Sequence, residues 1–441
     1  MFSISAMLFI LIFFSGISAA IFFDPSFGVL TYIFDYFVFP QIRWWYPEIP
    51  DLRYAYIAAL SIIFGYAVRY HRYRFTRSFG VSQTKWLLLQ AVLMIMLSLV
   101  AIDPIGHEVL VLRYMKYVII YFLIILVIDN KQKFERLIGM YLLGCTYVGY
   151  SGWVIGRDGM GTLGFIGPAD APDGNGTAGI IVAGIPLLLF YIFQGKKWQK
   201  AISFIALVFC LNVIILINSR GAFVALVIAG FYLLIQMFRT SRRVKSNLRV
   251  KMVTVAVIAV CSFSYLADDF FWNRMATLET TYASGEMGAG RDLLYKAGIK
   301  MSLDYPLGTG GGGYEYLSAQ YLPEDWITKS KSGSKASHSL WIDALVNNGY
   351  LGLIFLLAYV FSTFKLTSKV KRHLRTHEDF RSLSFAIALE ASFIAYLCAA
   401  TFLSVLYCEL LYLLPAFLGS FYLIHSTPKE ATSAANLQYA S

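Results

Sequence analysis

Apolar runs of about 16–24 residues recur from residue 4 to residue 425, and short basic stretches separate them. Bilayer hydrocarbon is ~30 Å thick, so about 20 apolar residues in helical form cross it. Inside hydrocarbon every backbone N–H and C=O must be satisfied within the segment or by a neighbour, which leaves helices as the element for runs of this length. The pattern therefore predicts an all-α polytopic membrane protein. Composition agrees: 58% of the residues are hydrophobic and 14% are charged, against ~25% charged in a soluble domain.

The charges give the topology. Five basic stretches stand between the runs: Arg69 to Lys85; Lys131, Lys133 and Arg136; Lys196, Lys197 and Lys200; Arg239 to Lys251; and Lys365 to Arg381. Each neighbouring pair, and the fifth stretch with the short polar tail after Ile424, encloses a hairpin of two apolar runs: 86–102 and 110–128, 137–155 and 176–194, 201–217 and 221–238, 252–267 and 340–363, and 383–403 and 408–425. Every hairpin returns to the side it left, and Lys and Arg mark that side as cytoplasmic. Ahead of them lie runs at 4–23, 27–42 and 54–70. The middle one is short, holds Asp35, and leads into Arg43-Trp44-Trp45-Tyr46-Pro47, whose aromatics suit a membrane interface. Two full spans and one short segment there bring the total to about twelve. The first run lacks a basic flank and reads as a retained span, not a signal peptide.

The expected organisation is N-terminal membrane helices over 1–267, an external loop over 268–339, C-terminal membrane helices over 340–425 and a disordered cytoplasmic tail over 426–441. The net charge of +11 is explained by the basic loops and gives no support for nucleic-acid binding. Cys145, Cys210, Cys261, Cys398 and Cys408 all lie in or beside apolar runs, so the long loop has neither a disulfide staple nor a thiolate metal site. No metal-ligand spacing is present anywhere.

A loop as long as 268–339 calls for a functional reason. Leu293, Leu294, Ala297 and Met301 recur there at helical spacing and predict a helix lying against the membrane. Three basic groups reach the external side. Arg220 lies in the turn Asn218-Ser219-Arg220-Gly221, Arg291 in Gly290-Arg291-Asp292, and His338 where the long loop re-enters the membrane. Arginine's planar fork suits phosphate, and histidine moves protons near neutral pH. Together they suit recognition of a pyrophosphate leaving group and proton transfer from a hydroxyl. Structural readings stand beside this: Arg220 as a snorkelling turn cap, Arg291 as a partner of Asp292's neighbourhood, His338 as a helix cap.

Arg113 and Lys116 share a helix face in the outer half of their span, where they either line a polar cavity or snorkel. Glu390 and Glu409 are membrane-level acids that could neutralise them or bind substrate. The Gly- and Pro-rich loop 156–176 contains Arg157, and its Asp173 and Asn175 either cap the next helix or line the site. The run Pro306 to Tyr314 lacks the Lys-Ser/Thr ending of a nucleotide loop, and reads as flexible backbone near a ligand.

These residues resemble, in order and topology, the O-antigen ligase and polymerase superfamily of bacterial envelope enzymes, closest to the exosortase-associated O-glycosylation ligases. The matching pieces are Asp24-Pro25 with Gly28-Val29-Leu30, Gly167-Pro168 to Asn175, Ser219-Arg220-Gly221, Arg274-Met275, Gly290-Arg291, Pro306 to Gly310, and His338-Ser339 followed by Asn348 to Leu353. The resemblance implies a GT-C-like bundle and a metal-independent, inverting oligosaccharide transferase without cofactor. The donor would be a glycan on undecaprenyl pyrophosphate, and the acceptor a lipid, a protein hydroxyl or another glycan. Arg220 and Arg291 would hold the pyrophosphate and His338 would activate the acceptor. Arg113, Lys116, Arg157, Asn175 and Arg274 are the candidate substrate-binding residues. The enzyme would sit in the bacterial inner membrane with its site facing outward. A repeat-unit polymerase would share this chemistry. A secondary transporter would call for inverted repeats, which the sequence does not display, and a scaffold would tolerate loss of the three basic groups.

Overall fold

The computed structural model describes residues 3–157, 163–171, 173–241, 272, 290–328 and 333–426. The expected span over 252–267, Cys261 and Arg274 lie outside the described residues. Among those described the chain is helical with no strand. The helices are α1 Ile4–Phe22, α2 Ser26–Val38, α3 Tyr54–Val68, α4 Thr84–Leu97, α5 Pro104–Val127, α6 Lys131–Ile155, α7 Gly174–Gln194, α8 Lys197–Ile217 and α9 Arg220–Ser241. After them come α10 Arg291–Asp304, α11 Gly313–Tyr321, α12 Glu324–Thr328, α13 Leu340–Thr376, α14 Phe380–Ala400 and α15 Leu410–Ser426. Six of these are long and apolar enough to cross a membrane: α1, α5, α7, α8, α13 and α14. A seventh arises if the bent pair Tyr70–Gly80 and Thr84–Leu97 is one span, and α3, α9 and α15 include shorter apolar helices.

Burial separates the helices by role. α7 and α14 are buried over most of their length and pack on one another and on α8 and α9 at the middle of the bundle. α1 is buried on a single stripe (Ala6, Phe9, Phe13, Ala20) and exposes Leu8, Leu11 and Ile12, as a peripheral helix facing lipid would. The short segment with Asp35 is α2, and most of it lies inside protein against α1, α3 and α6. Its C-terminal carbonyls are covered by Arg43, whose Nε donates to Val38 O at 2.6 Å and whose guanidinium lies 5.0 Å from the Tyr147 ring. Trp44 is exposed, as the interfacial reading expects, whereas Trp45 is buried on Phe9.

The polar loops collect at two ends. At one, Lys133 pairs with Asp24 at 2.9 Å and Asp129 at 3.1 Å, Arg77 donates to Ile128 O, and Arg381 meets Glu135 at 3.1 Å. The first, second and fifth basic stretches thus meet. The opposite end holds Asp103, Asp170, Glu315, Asp343 and Ser404 around a cavity.

The amphipathic helix of the long loop is α10, but its buried face (Leu294, Ala297, Met301) turns to protein, onto α11 and α13, in a cluster with Tyr314, Leu317 and Val346. The glycine run is likewise structural. α13 breaks at Gly349, where φ is +69°. Thr309 N–H and Gly310 N–H donate to Val346 O and Asn347 O, each at 2.9 Å, and Tyr350 N–H donates to Pro306 O at 3.2 Å. Carbonyls freed by the break are therefore satisfied by the loop. Gly311 N–H donates to His107 Nδ1 at 2.7 Å, which leaves Nε2–H for Met94 O at 3.0 Å. The run that reads as flexible backbone beside a ligand is a clamp on a broken helix.

Gly349→Ala is expected to be strongly destabilising. A Cβ there would lie 2.4 Å from Leu307 C, in a left-handed conformation. Strain and overpacking together cost about 2–5 kcal/mol. Gly230→Ala, in α9 with no atom within 4 Å of its Cβ position, is the control and should match wild type or exceed it slightly. Thermal unfolding midpoints in detergent check the pair, and equal midpoints would contradict the clamp.

Candidate functional site

Residues 401–409, between α14 and α15, form the hub at which distant segments meet. The first turn of α9 rests on Phe402: a Cβ at Gly221 would be 3.5 Å from Phe402 Cβ. Arg220, which opens that helix, is half-buried there. The Arg291 guanidinium lies over the Phe402 ring at 5.5 Å, a cation–π contact that holds the head of α10 to the hub. His338 N–H donates to Ser404 Oγ at 3.0 Å, and Trp341 Nε1–H donates to Thr401 Oγ1 at 3.1 Å. Arg220, Arg291 and His338 thus come from three segments to one short connection.

The backbone of His338 is fixed from several sides. Its φ is +51°, in the left-handed region that few non-glycine residues adopt. Ser337 Oγ donates to the buried Asp343 carboxylate and accepts from Ser339 N–H at 3.1 Å. Tyr295 OH of α10 lies 3.5 Å from His338 O. Ser339, not His338, is the N-cap of α13, so the capping explanation of the histidine fails. One side of His338 stays open to solvent, while the surrounding loops crowd the ring and disfavour its charged form. Arg291 and, more weakly, Lys335 push in the same direction and Asp173 opposes them, so the pKa lies below the ordinary 6.5. The ring is mostly neutral at pH 7, the form that accepts a proton.

Beside the hub is a cavity of about 540 Å³, lined by Asp103, Arg113, Asp170, Glu315, Asp343 and Tyr407, among others. Asp170 is held by Tyr36 OH at 2.9 Å and by Glu409 N–H. Burial pushes the Glu315 carboxyl up. Acidic and amide groups around an aromatic floor suit hydroxyl-rich ligands, because carboxylates accept from hydroxyls and Asn347 can do both. Ser404 lines this cavity and also holds His338, so the histidine stands at its rim.

The other sequence candidates divide. Arg113 lines the cavity and Lys116, on the same helix, acts electrostatically on Glu409. Arg157 donates to Ile215 O at 3.0 Å and Leu216 O at 3.3 Å, and so covers the end of α8 just before the Arg220 turn. Asp173 caps α7 through Gly176 N–H at 2.9 Å, while Asn175 is exposed in the first turn. Glu390 does not face Arg113 or Lys116: it pairs with Lys371 near the basic-loop end and accepts from Thr367 at 3.0 Å. Phe402, Ser404, Asp343 and Asp170 were not singled out by sequence reasoning. Only the Pro168 to Asp173 stretch carried any signal, in its density of turn residues and acids.

Fold and cavity together define a multi-pass membrane protein, free of strands among the described residues, with a polar site at the end of the bundle opposite the basic loops. Residues 205–357 match the family model described as O-antigen ligase, which supports the superfamily resemblance and a membrane ligase or polymerase acting on glycans. The matched stretch contains Arg220, Arg291 and His338, and stops short of residues 401–409. No curated protein matches the chain.

Proposed function

We propose that the protein transfers a glycan from undecaprenyl pyrophosphate to an acceptor hydroxyl at the outer face of the bacterial inner membrane. The reading includes about twelve spans in a GT-C-like arrangement, with the basic loops in the cytoplasm. The observation that carries it is the meeting of Arg291, the Arg220 turn and His338 around residues 402–404 beside the polar cavity. In the reaction the acceptor oxygen attacks the anomeric carbon from the face opposite the pyrophosphate. The new C–O bond forms as the bond to the pyrophosphate oxygen breaks, and the electron pair leaves with undecaprenyl pyrophosphate. His338 takes the acceptor's proton. Arg220 and Arg291 offset the charge that grows on the leaving group. Arg113 and Lys116 lie at the same end for contacts to the donor glycan or its phosphates. No metal is required in this scheme.

The test is a transfer assay on the purified full chain in detergent, with undecaprenyl-pyrophosphate oligosaccharide, EDTA, and a panel of lipid, peptide and glycan acceptors. Release of undecaprenyl pyrophosphate with inversion at the anomeric carbon supports the reading, and the acceptor consumed separates ligase from polymerase. Binding of the lipid without turnover on every acceptor would count against it.

A pH profile follows from the charges around His338. The base must be neutral, so kcat/KM should fall as pH drops through a pKa below 6.5 and level off above it. Lys335→Gln removes a repelling charge and should move the acid limb up. Asp173→Asn retains an N-cap and removes an attracting charge, so it should move the limb down. Shifts in one common direction would disconnect the limb from His338.

A further inference from the structure

A second cavity lies at the basic-loop end of the bundle, far from the hub. It measures about 410 Å³ and is bounded by Gln236 and Arg239 of α9, Ser368, Lys371, Arg372 and Arg375 of α13, and Phe380 and Leu383 of α14. Among the described residues no carboxylate lines it. Glu390, which pairs with the lining residue Lys371, is also engaged by Tyr232 and Thr367. Asp379 caps α14 through Ser382 N–H and faces Lys131, 3.7 Å away. Among the described residues, Arg239, Arg372 and Arg375 have neither an ion pair nor a side-chain hydrogen bond. The sequence from Arg239 to Lys251 holds no acidic residue that could supply one.

Three arginines converge from two helices onto one cleft without a counter-charge among the described residues. The positive-inside tendency accounts for basic residues at this end. It does not account for their convergence on one cavity wall, where mutual repulsion opposes them. An anion in the cleft removes that repulsion. Guanidinium forks match phosphate oxygens, and Ser368 adds a hydroxyl. Phe380 and Leu383 give the opposite wall an apolar surface, as needed where a headgroup passes into acyl chain. We infer that the cleft between α9, α13 and α14 binds a phosphate group, carried by an anionic membrane lipid or by a soluble phosphate of the same chemistry.

The experiment is native mass spectrometry of the purified full chain, incubated with phosphatidylglycerol or with phosphatidylcholine of the same acyl chains. Wild type should retain the anionic lipid, and Arg239→Gln/Arg372→Gln/Arg375→Gln should weaken retention roughly 10- to 100-fold. If that variant does not fold, Arg372→Gln alone should weaken it about 5-fold. Lys196→Gln/Lys197→Gln/Lys200→Gln, which removes an equal charge from another loop, should retain lipid as wild type does. Displacement by millimolar glycerol 1-phosphate would assign the site to a soluble phosphate, and resistance to it would assign the site to lipid; either supports phosphate recognition. Equal retention of both lipids, or equal loss in the arginine and lysine variants, would overturn the inference. Because the readout is binding at the far end of the bundle, it is independent of whether glycan transfer is observed.

Discussion

His338→Asn is expected to lower kcat for glycan transfer by about 10²–10⁴ while leaving the fold intact. Asparagine tolerates the left-handed backbone that His338 adopts, and its N–H can still donate to Ser404. What the substitution removes is the proposed proton acceptor. The loss should therefore appear in kcat more than in KM for the donor, and the acid limb of the pH profile should vanish with it. Single-turnover measurement against increasing acceptor concentration separates these effects. A variant within a few-fold of wild type would show that acceptor activation lies elsewhere, and Asp343 or Glu315 in the adjoining cavity would be the groups to examine.

Arg291→Ala should cost about 10²–10³ in kcat/KM, the usual scale for removing one donor to a developing oxyanion. Arg291→Lys should fall between the two, because a point charge remains but the fork does not. The structure adds a second reason to expect sensitivity. The guanidinium also lies over Phe402 and so links α10 to the hub. Phe402→Leu separates the contributions. It removes the ring and keeps the arginine, so it should cost less than Arg291→Ala if pyrophosphate stabilisation dominates. A Phe402→Leu loss as large as that of Arg291→Ala would make Arg291 chiefly a structural tie.

Much of this arrangement was legible in the sequence. Alternation of basic loops with apolar pairs placed Lys131, Lys133 and Arg381 at one end, and they meet there. External position and residue type picked out Arg220, Arg291 and His338, which converge although more than a hundred residues separate the first from the last. The hub itself was not legible. Thr401 to Glu409 overlaps the ends of two apolar runs and looks like a plain turn, because the features that matter are the Ser404 hydroxyl that accepts from His338 N–H and a ring face at Phe402. Arg157 was a candidate substrate ligand, and its carbonyl partners Ile215 and Leu216, on a helix whose end the sequence does not mark, were not foreseen. Glu390 could pair with cations toward either end of its span, and only packing shows that Lys371 reaches it. The glycine run misled for a similar reason. Permissive backbone is needed both for motion and for close approach, and composition does not tell them apart.

The break in α13 limits how natural variation can reshape the site. Val346 and Asn347 depend on Thr309 and Gly310 for their carbonyl partners, and Tyr350 depends on Pro306. A chimera that imports the external loop from a relative, but joins it to the resident α13 above Gly349, separates the two halves of that backbone pairing. The Val346 and Asn347 carbonyls would then be buried in protein without partners. Segments from Pro306 to Tyr350 should therefore be exchangeable as one cassette and not as parts, and the junctions of such chimeras belong below the break.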